Sequence, residues 1–264
     1  MWVWGRAVRG KAVIITGSTG IAAETARLAA AAGARLLVAS GEDASAWEVA
    51  LQTGAECWVG DLTRPESADS IVAQCLSRFA RVDTLFNAAG LSGRRFGDGP
   101  VHECTDQGWE MTLEHNLRVV FQMCRAAVGR MLDQTPGEDG MRGAILNMGS
   151  VLTASPEPRH FATHAYAAAK GGVEALSRSM AAYYAPHRIR VNVIAPGMIR
   201  TPAMERSQAD PSLLEFLSRK QPLAEGMADV EEVARAALFL LSGDARSITG
   251  EVLRIDAGWS VTGV

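Results

Sequence analysis

The stretch VIITGSTGIAAE, residues 13–24, decides how this chain is read. An apolar run breaks into a turn of small residues and reopens as a helix, which is how a chain builds a cradle for the phosphates of a dinucleotide. The glycines do not follow the G-x-G-x-x-G pattern: Gly17 and Gly20 stand three apart, and Ala22 and Ala23 occupy the place of a closing glycine. Either the loop binds no nucleotide, or it belongs to another lineage of the same architecture.

Working outward, further short apolar runs recur: RLLVA (35–39), ECWV (56–59), TLFN (84–87), AILNM (144–148), IRVNVIA (189–195) and VLRID (252–256). With AVIIT (12–16) they make seven strands, continuous in apolar character as strands covered on both faces are. Helices are predicted between them in ETARLAAAAG, which ends in Gly33, in PESADSIVAQCLSRF, in the long DQGWEMTLEHNLRVVFQMCRAAVGRML, and near 165–184 and 230–241. The alternation predicts an α/β protein with a doubly wound parallel sheet, one dinucleotide-binding domain over 1–264. DQTPGEDGMR (133–142) reads as a surface loop. The irregular region near 198–228 holds DPSLLEFLSRK, where Asp210 can cap and Pro211 can begin a short helix; its place late in the chain suits a cover over a ligand.

The balance of 26 Lys and Arg against 29 Asp and Glu gives a formal charge of −3, which offers no general attraction to nucleic acid or to an anionic membrane. Arg94, Arg95, Arg188 and Arg190 read as solvated surface. Four scattered cysteines form no C-x-x-C pair and read as reduced, mostly buried thiols. MWVWGRAVRG has no sustained apolar core of the kind a cleaved leader carries, and no later run reaches a membrane-spanning length, so a cytoplasmic setting is expected. His160 and His164 stand four apart, but no third ligand follows at a recognised spacing, so no metal is expected; His164 reads as a polar residue lining a cleft.

Tyr166 and Lys170, in YAAAK, fall on one face of a predicted helix. A phenol titrates near 10 and exchanges protons poorly at neutral pH unless a neighbouring cation stabilises its phenolate, which Lys170 could do. Together with TGSTGI, NAAG (87–90), Asn116 in EHNLRVVF, Ser150 in LNMGS, PGMIRTP (196–202) and ITGEVLRIDAG, the pair makes the chain resemble the short-chain dehydrogenase/reductase family over nearly its whole length. That family's glycine pattern is TG-x-x-x-GIG; here Ser18 and Thr19 alone separate the first two glycines and Ala22 replaces the third, a shortened version with an altered cofactor geometry expected.

The resemblance implies an oxidoreductase that moves a hydride between a nicotinamide cofactor and an alcohol or ketone. It makes Tyr166 the acid/base, Lys170 the group that lowers its pKa and holds the nicotinamide ribose, Ser150 a hydrogen-bond donor to the reacting oxygen, and Asn116 the holder of a relay water. Because the stretch from Ser150 to Tyr166 is longer than usual for the family, Thr153 is the alternative to Ser150. Cofactor contacts are implied for Gly17, Ser18, Thr19, Gly20, Ile21, Ser40, Asp61, Leu62, Asn87, Ala88, Ala89, Gly90, Tyr166, Lys170, Pro196, Gly197, Ile199 and Thr201. Ser40, with Glu42 and Asp43 nearby and no local cation, favours NAD over NADP. Met198, Ile199, Met204, Leu213, Leu214 and Phe216 suggest an apolar wall for a small-molecule substrate, and apolar and small residues over 108–132 and 165–184 suggest a homo-oligomer, a tetramer by resemblance. The rival readings are a catalytically inactive dinucleotide-binding sensor or scaffold, for which the shortened loop argues, and a sugar-nucleotide epimerase or dehydratase, which would need a larger C-terminal region.

Overall fold

A computed structural model describes residues 8–202 and 210–263. Its spine is one parallel sheet of seven strands: β1 (Ala12–Thr16), β2 (Arg35–Ser40), β3 (Glu56–Val59), β4 (Thr84–Asn87), β5 (Gly143–Met148), β6 (Ile189–Pro196) and β7 (Val252–Ile255). They lie in the order β3-β2-β1-β4-β5-β6-β7, so the winding reverses between β1 and β4. Register aligns the strand exits there, with Thr16 beside Asn87 and Asn87 beside Asn147. The crevice outside those carboxyl ends is where open α/β sheets bind ligands.

Helices cover both faces, which is why β1, β4, β5 and β6 are buried along their whole length. One core joins Val13, Ile15 and Phe86 to the buried alanines of α1 (Gly20–Ala31) and to α8 (Val230–Leu241). The opposite core joins Ile14, Leu85 and Ile145 to α3 (Ser67–Phe79), α5 (Val119–Asp133) and α6 (His164–Tyr184). As expected, α1 runs out into a left-handed glycine, Gly33 at φ +83°.

Three elements differ from the reading above. A helix α2 (Asp43–Thr53) follows β2; it buries only Ala46, Val49 and Ala50 while Trp47 and Leu51 face outward, so no apolar stripe marks it. The long helix predicted over 106–132 is α4 (Asp106–Leu113) and α5 joined by a π turn, Glu114–Arg118. Arg190 is not surface: it is 4% exposed and donates to the Ser242 and Ile248 carbonyls, since its place on central strand β6 leaves it nowhere to reach water. The loop over 133–142 is pinned, Asp139 pairing with Lys11. Cys75 and Cys124 are buried and pushed up to about 12 by desolvation, Cys57 and Cys104 are half-buried, and all four are free thiols.

The predicted short helix is α7 (Pro211–Lys220), with Asp210 accepting from the Ser212 and Leu213 amides. No helix among the described residues is long and apolar enough to cross a membrane.

Candidate active site

The shortened glycine loop forms a tight cradle. Gly17 sits at φ +91°, and a Cβ there would lie 3.3 Å from the Ala22 Cβ and 3.5 Å from the Ala89 Cα. Gly20, at φ +53°, opens α1, and a Cβ on it would meet Thr201 at 3.0 Å. Only glycine fits both the backbone and the space at these two positions. Ala22, meanwhile, is 4% exposed and packs with the core, so its methyl serves helix–sheet contact. Thr19 makes no side-chain cap, and no acidic residue occupies the first turn of α1. The first turn of α1 therefore carries neither a side-chain cap of its own nor a competing carboxylate, and a dinucleotide pyrophosphate fits that arrangement.

At the end of β2, Ser18 donates to the Ser40 hydroxyl at 2.8 Å, lies 2.6 Å from the Ser45 hydroxyl, and the Glu42 amide also donates to Ser40. Asp61 is exposed and held below the usual carboxylate range by the Thr63 hydroxyl and amide, in a turn of its own rather than as a cap of α3. Leu62 beside it is half-buried. Thr16 accepts from both the Ala88 and Ala89 amides at 3.1 Å and so shapes the exit of β4. Asn87 is turned the other way: its side-chain amide donates to Asn147 inside the core, leaving only its backbone toward the crevice.

Gly90 is the hinge of the arrangement. A Cβ on it would lie 2.6 Å from the Asn116 Oδ1 and 3.5 Å from the Lys170 Nζ, so the backbone of the NAAG segment runs directly against both side chains. Asn116, in the π turn, is fully buried; its amide donates to the Leu91 and Thr112 carbonyls and its Oδ1 accepts from the Leu91 amide. Pro196 ends β6, Gly197 donates to the Ile255 carbonyl, and Ile199 bridges to Ala228. This turn brings Thr201 back to Gly20.

Ser150 follows β5, and its hydroxyl accepts from the Leu152 amide and lies near the Tyr166 phenol. Thr153 points elsewhere, donating to the Ser150 carbonyl and to Glu174. Of the two hydroxyls, it is that of Ser150 which the fold brings near Tyr166. Lys170 is 2% exposed, donates to the Met148 carbonyl at 2.8 Å and lies 5.6 Å from the Tyr166 ring centroid. Burial pushes Lys170 down to about 8. It also pushes the Tyr166 phenol above its ordinary value, and the nearby Ser150 hydroxyl pulls it partly back.

The apolar wall exists in part. Met198, Leu213 and Phe216 pack with Val151, Phe161 and Trp259. Leu214 instead is 40% exposed on α7, Ile199 is buried in the main core, and Met204 lies outside the described residues. His160 stacks on Phe216 at 5.1 Å, and His164 is exposed at the start of α6. Sequence reading missed Thr16, for which the threonine of the TG pair was a signal. It also missed Asp98, whose carboxylate accepts from the Ala165 and Tyr166 amides across 67 and 68 residues with nothing to announce it.

The family model described as enoyl-(acyl carrier protein) reductase matches residues 15–260. The chain is 33% identical over 268 residues to 3beta-hydroxysteroid dehydrogenase 1 of Eggerthella lenta, covering 96% of this chain and 95% of that one. It is 35% identical over 239 residues to a protein of Xanthobacter autotrophicus named inactive 2-(S)-hydroxypropyl-CoM dehydrogenase 2, covering 88% and 98%. The crystal structure of gox2181 superposes with a TM-score of 0.89 at 28% identity, over 99% of this chain and 100% of that one.

Proposed function

Because the chain belongs to the short-chain dehydrogenase/reductase family, and is an oxidoreductase of alcohols and ketones, we propose that Tyr166, Ser150, Lys170 and Asn116 are the residues that carry its reaction. The observation that supports this most is the Ser150 hydroxyl set near the Tyr166 phenol beside a fully buried lysine, at the mouth of a glycine cradle. Bound nicotinamide supplies hydride to the substrate carbon or takes it away. Tyr166 gives a proton to the substrate oxygen in reduction and takes it in oxidation. Ser150, whose oxygen already accepts from Leu152, keeps its own hydrogen to donate where charge develops on that oxygen. Lys170 holds the ribose and supplies protons behind Tyr166. Asn116, fixed in the π turn by Leu91 and Thr112, holds a relay water behind Lys170.

The cofactor is NAD. Ser40 is bonded by the Ser18 hydroxyl and the Glu42 amide, and Ser18 in turn meets the Ser45 hydroxyl; hydroxyls suit a ribose diol, and the Glu42 carboxylate close by repels a 2′-phosphate. The one domain spans 1–264, with the region near 198–228 covering the substrate. Four free cysteines support a cytoplasmic setting. Trp109, Leu113, Leu117 and Phe121 repeat every fourth residue along α4, the π turn and α5 beside a groove of about 600 Å³, with Trp109 and Phe121 45% and 44% exposed. That stripe supports a homotetramer.

The test is an absorbance screen of secondary alcohols, a 3β-hydroxysteroid among them, with each cofactor, alongside calorimetric titration with NADH and NADPH. Turnover with tighter NADH binding supports the reading. Tight NADH binding with no turnover across the panel supports the inactive sensor, the reading that the name of the Xanthobacter relative keeps in view.

A further inference from the structure

A helix leaves its first amides without partners, and α6, which carries both Tyr166 and Lys170, does not cap itself: Thr163 precedes it and makes no side-chain cap bond. All three leading amides are satisfied by one distant segment. His164 donates to the Gly99 carbonyl at 3.1 Å, Ala165 to the Asp98 Oδ1 at 3.0 Å and Tyr166 to the Asp98 Oδ2 at 3.0 Å. The carboxylate thus grips the backbone of the tyrosine itself.

Asp98 is in turn immobilised. It is 6% exposed and its amide donates to the Gly93 carbonyl; a Cβ on Gly93 would lie 2.9 Å from the Asp98 Cβ, and a Cβ on Gly108 would strike the Gly97 backbone at 2.4 Å. The same ten residues start at Gly90 against Asn116 and Lys170 and continue through Leu91, which clamps the Asn116 amide on both sides. One short, tightly packed piece of chain therefore meets the Asn116 and Lys170 side chains and the Tyr166 backbone amide.

We infer that Asp98 is a positioning residue for the reaction, setting the height and rotation of Tyr166 against Ser150 by holding the first turn of α6 to the segment Gly90–Gly99. The inference rests on Tyr166 as the proton donor and goes beyond it. A negative charge at the amino end of a 21-residue helix also complements the helix dipole, so the grip is stronger than a neutral cap would make it.

The chain has three tyrosines, so protein labelled with carbon-13 at the ring carbon bearing the hydroxyl gives three signals by NMR, and Tyr166→Phe identifies the one that matters. Ser150→Ala shows where that signal goes when the hydroxyl beside the Tyr166 phenol is lost. Asp98→Ala is expected to move the Tyr166 signal toward the Ser150→Ala position while the signals of Tyr183 and Tyr184 stay put. Asp98→Asn, which keeps one acceptor, is expected to fall between and serves alone if the alanine variant does not fold. With the best alcohol from the screen, kcat per NADH-binding site is expected to drop by about ten- to a hundredfold in Asp98→Ala, with KM changing far less, as a sub-ångström to ångström misplacement of a catalytic group does. An unmoved Tyr166 signal in the folded variants, whatever their melting temperature, would show a purely structural cap and overturn the inference. If Tyr166→Phe kept full turnover, the assignment of Tyr166 would fail instead, and the two failures are told apart by that one variant.

Discussion

Gly90→Ala isolates a single steric contact at the centre of the site. The backbone there does not lie in the left-handed region, so alanine brings no conformational strain, and the whole effect comes from one methyl group. That methyl would stand 2.6 Å from the Asn116 Oδ1, closer than a carbon and an oxygen approach without bonding. Asn116 cannot swing away cheaply, because it is fully buried and holds Leu91 and Thr112 through three hydrogen bonds. Overpacking of this kind costs about 1–3 kcal/mol, and losing one of the Leu91 bonds adds about 1 kcal/mol. For a domain of this size, a loss of about 2–4 kcal/mol lowers the melting temperature by roughly 4–16 °C. Relief by pushing Asn116 or the segment after Gly90 moves Lys170, whose Nζ would be 3.5 Å from the new methyl, and a shift near an ångström in a catalytic group costs about a hundredfold in rate. Differential scanning fluorimetry with and without NADH, followed by steady-state kinetics, measures both. A melting temperature within a degree of the parent, together with unchanged kcat, would refute the packing of Gly90 against Asn116 and the site built on it.

Tyr166→Phe keeps the ring and removes the oxygen, so turnover should fall by roughly 10²–10⁴-fold with NADH affinity nearly unchanged in calorimetry; unchanged turnover on a confirmed substrate would sink the acid/base assignment. Folded Lys170 loses its proton near 8 whereas an unfolded lysine keeps it to about 10.5, so the unfolded chain binds more protons in between and stability rises as pH climbs through that window. The buried Cys75 and Cys124 thiols, pushed up to about 12, oppose that rise above pH 9, so the test is the difference: in urea unfolding at pH 7, 8 and 9.5 the parent should gain stability relative to Lys170→Met as pH climbs, and equal slopes in the two would contradict the burial of the ammonium. Trp109→Glu with Phe121→Glu should reduce the assembly seen by light scattering, and a parent already monomeric at micromolar concentration would remove the proposed interface.

What could be read from the sequence follows physical lines. Strands such as IRVNVIA announced themselves because a parallel sheet covered on both faces demands unbroken apolar character, and α7 did because Asp210 and Pro211 are a cap and a helix start written in adjacent residues. Helix α2 was silent because alanines and one valine do its packing while Trp47 and Leu51 face outward, which inverts the usual signal. The π turn was silent because EHNLR would continue an ordinary α-helix equally well; it is Leu91, from another element, that holds Asn116 in place there.

The same division runs through the site. Tyr166 and Lys170 share a helix face, so their spacing is visible in sequence, and the glycine positions express a backbone demand that few other residues meet. The choice of Ser150 over Thr153 depended on Glu174, which lies 21 residues beyond Thr153 and takes its hydroxyl. The grip of Asp98 on Tyr166 depended on two glycine contacts that let the segment Gly93–Gly99 lie flat against α4. Chemistry carried within one turn of helix is legible, whereas the side chains that aim it come from loops whose partners only folding brings near. That is where a chain with the same reacting groups can differ most in rate, and it makes Asp98, rather than another residue of YAAAK, the position whose substitution says most about how the reaction is aligned.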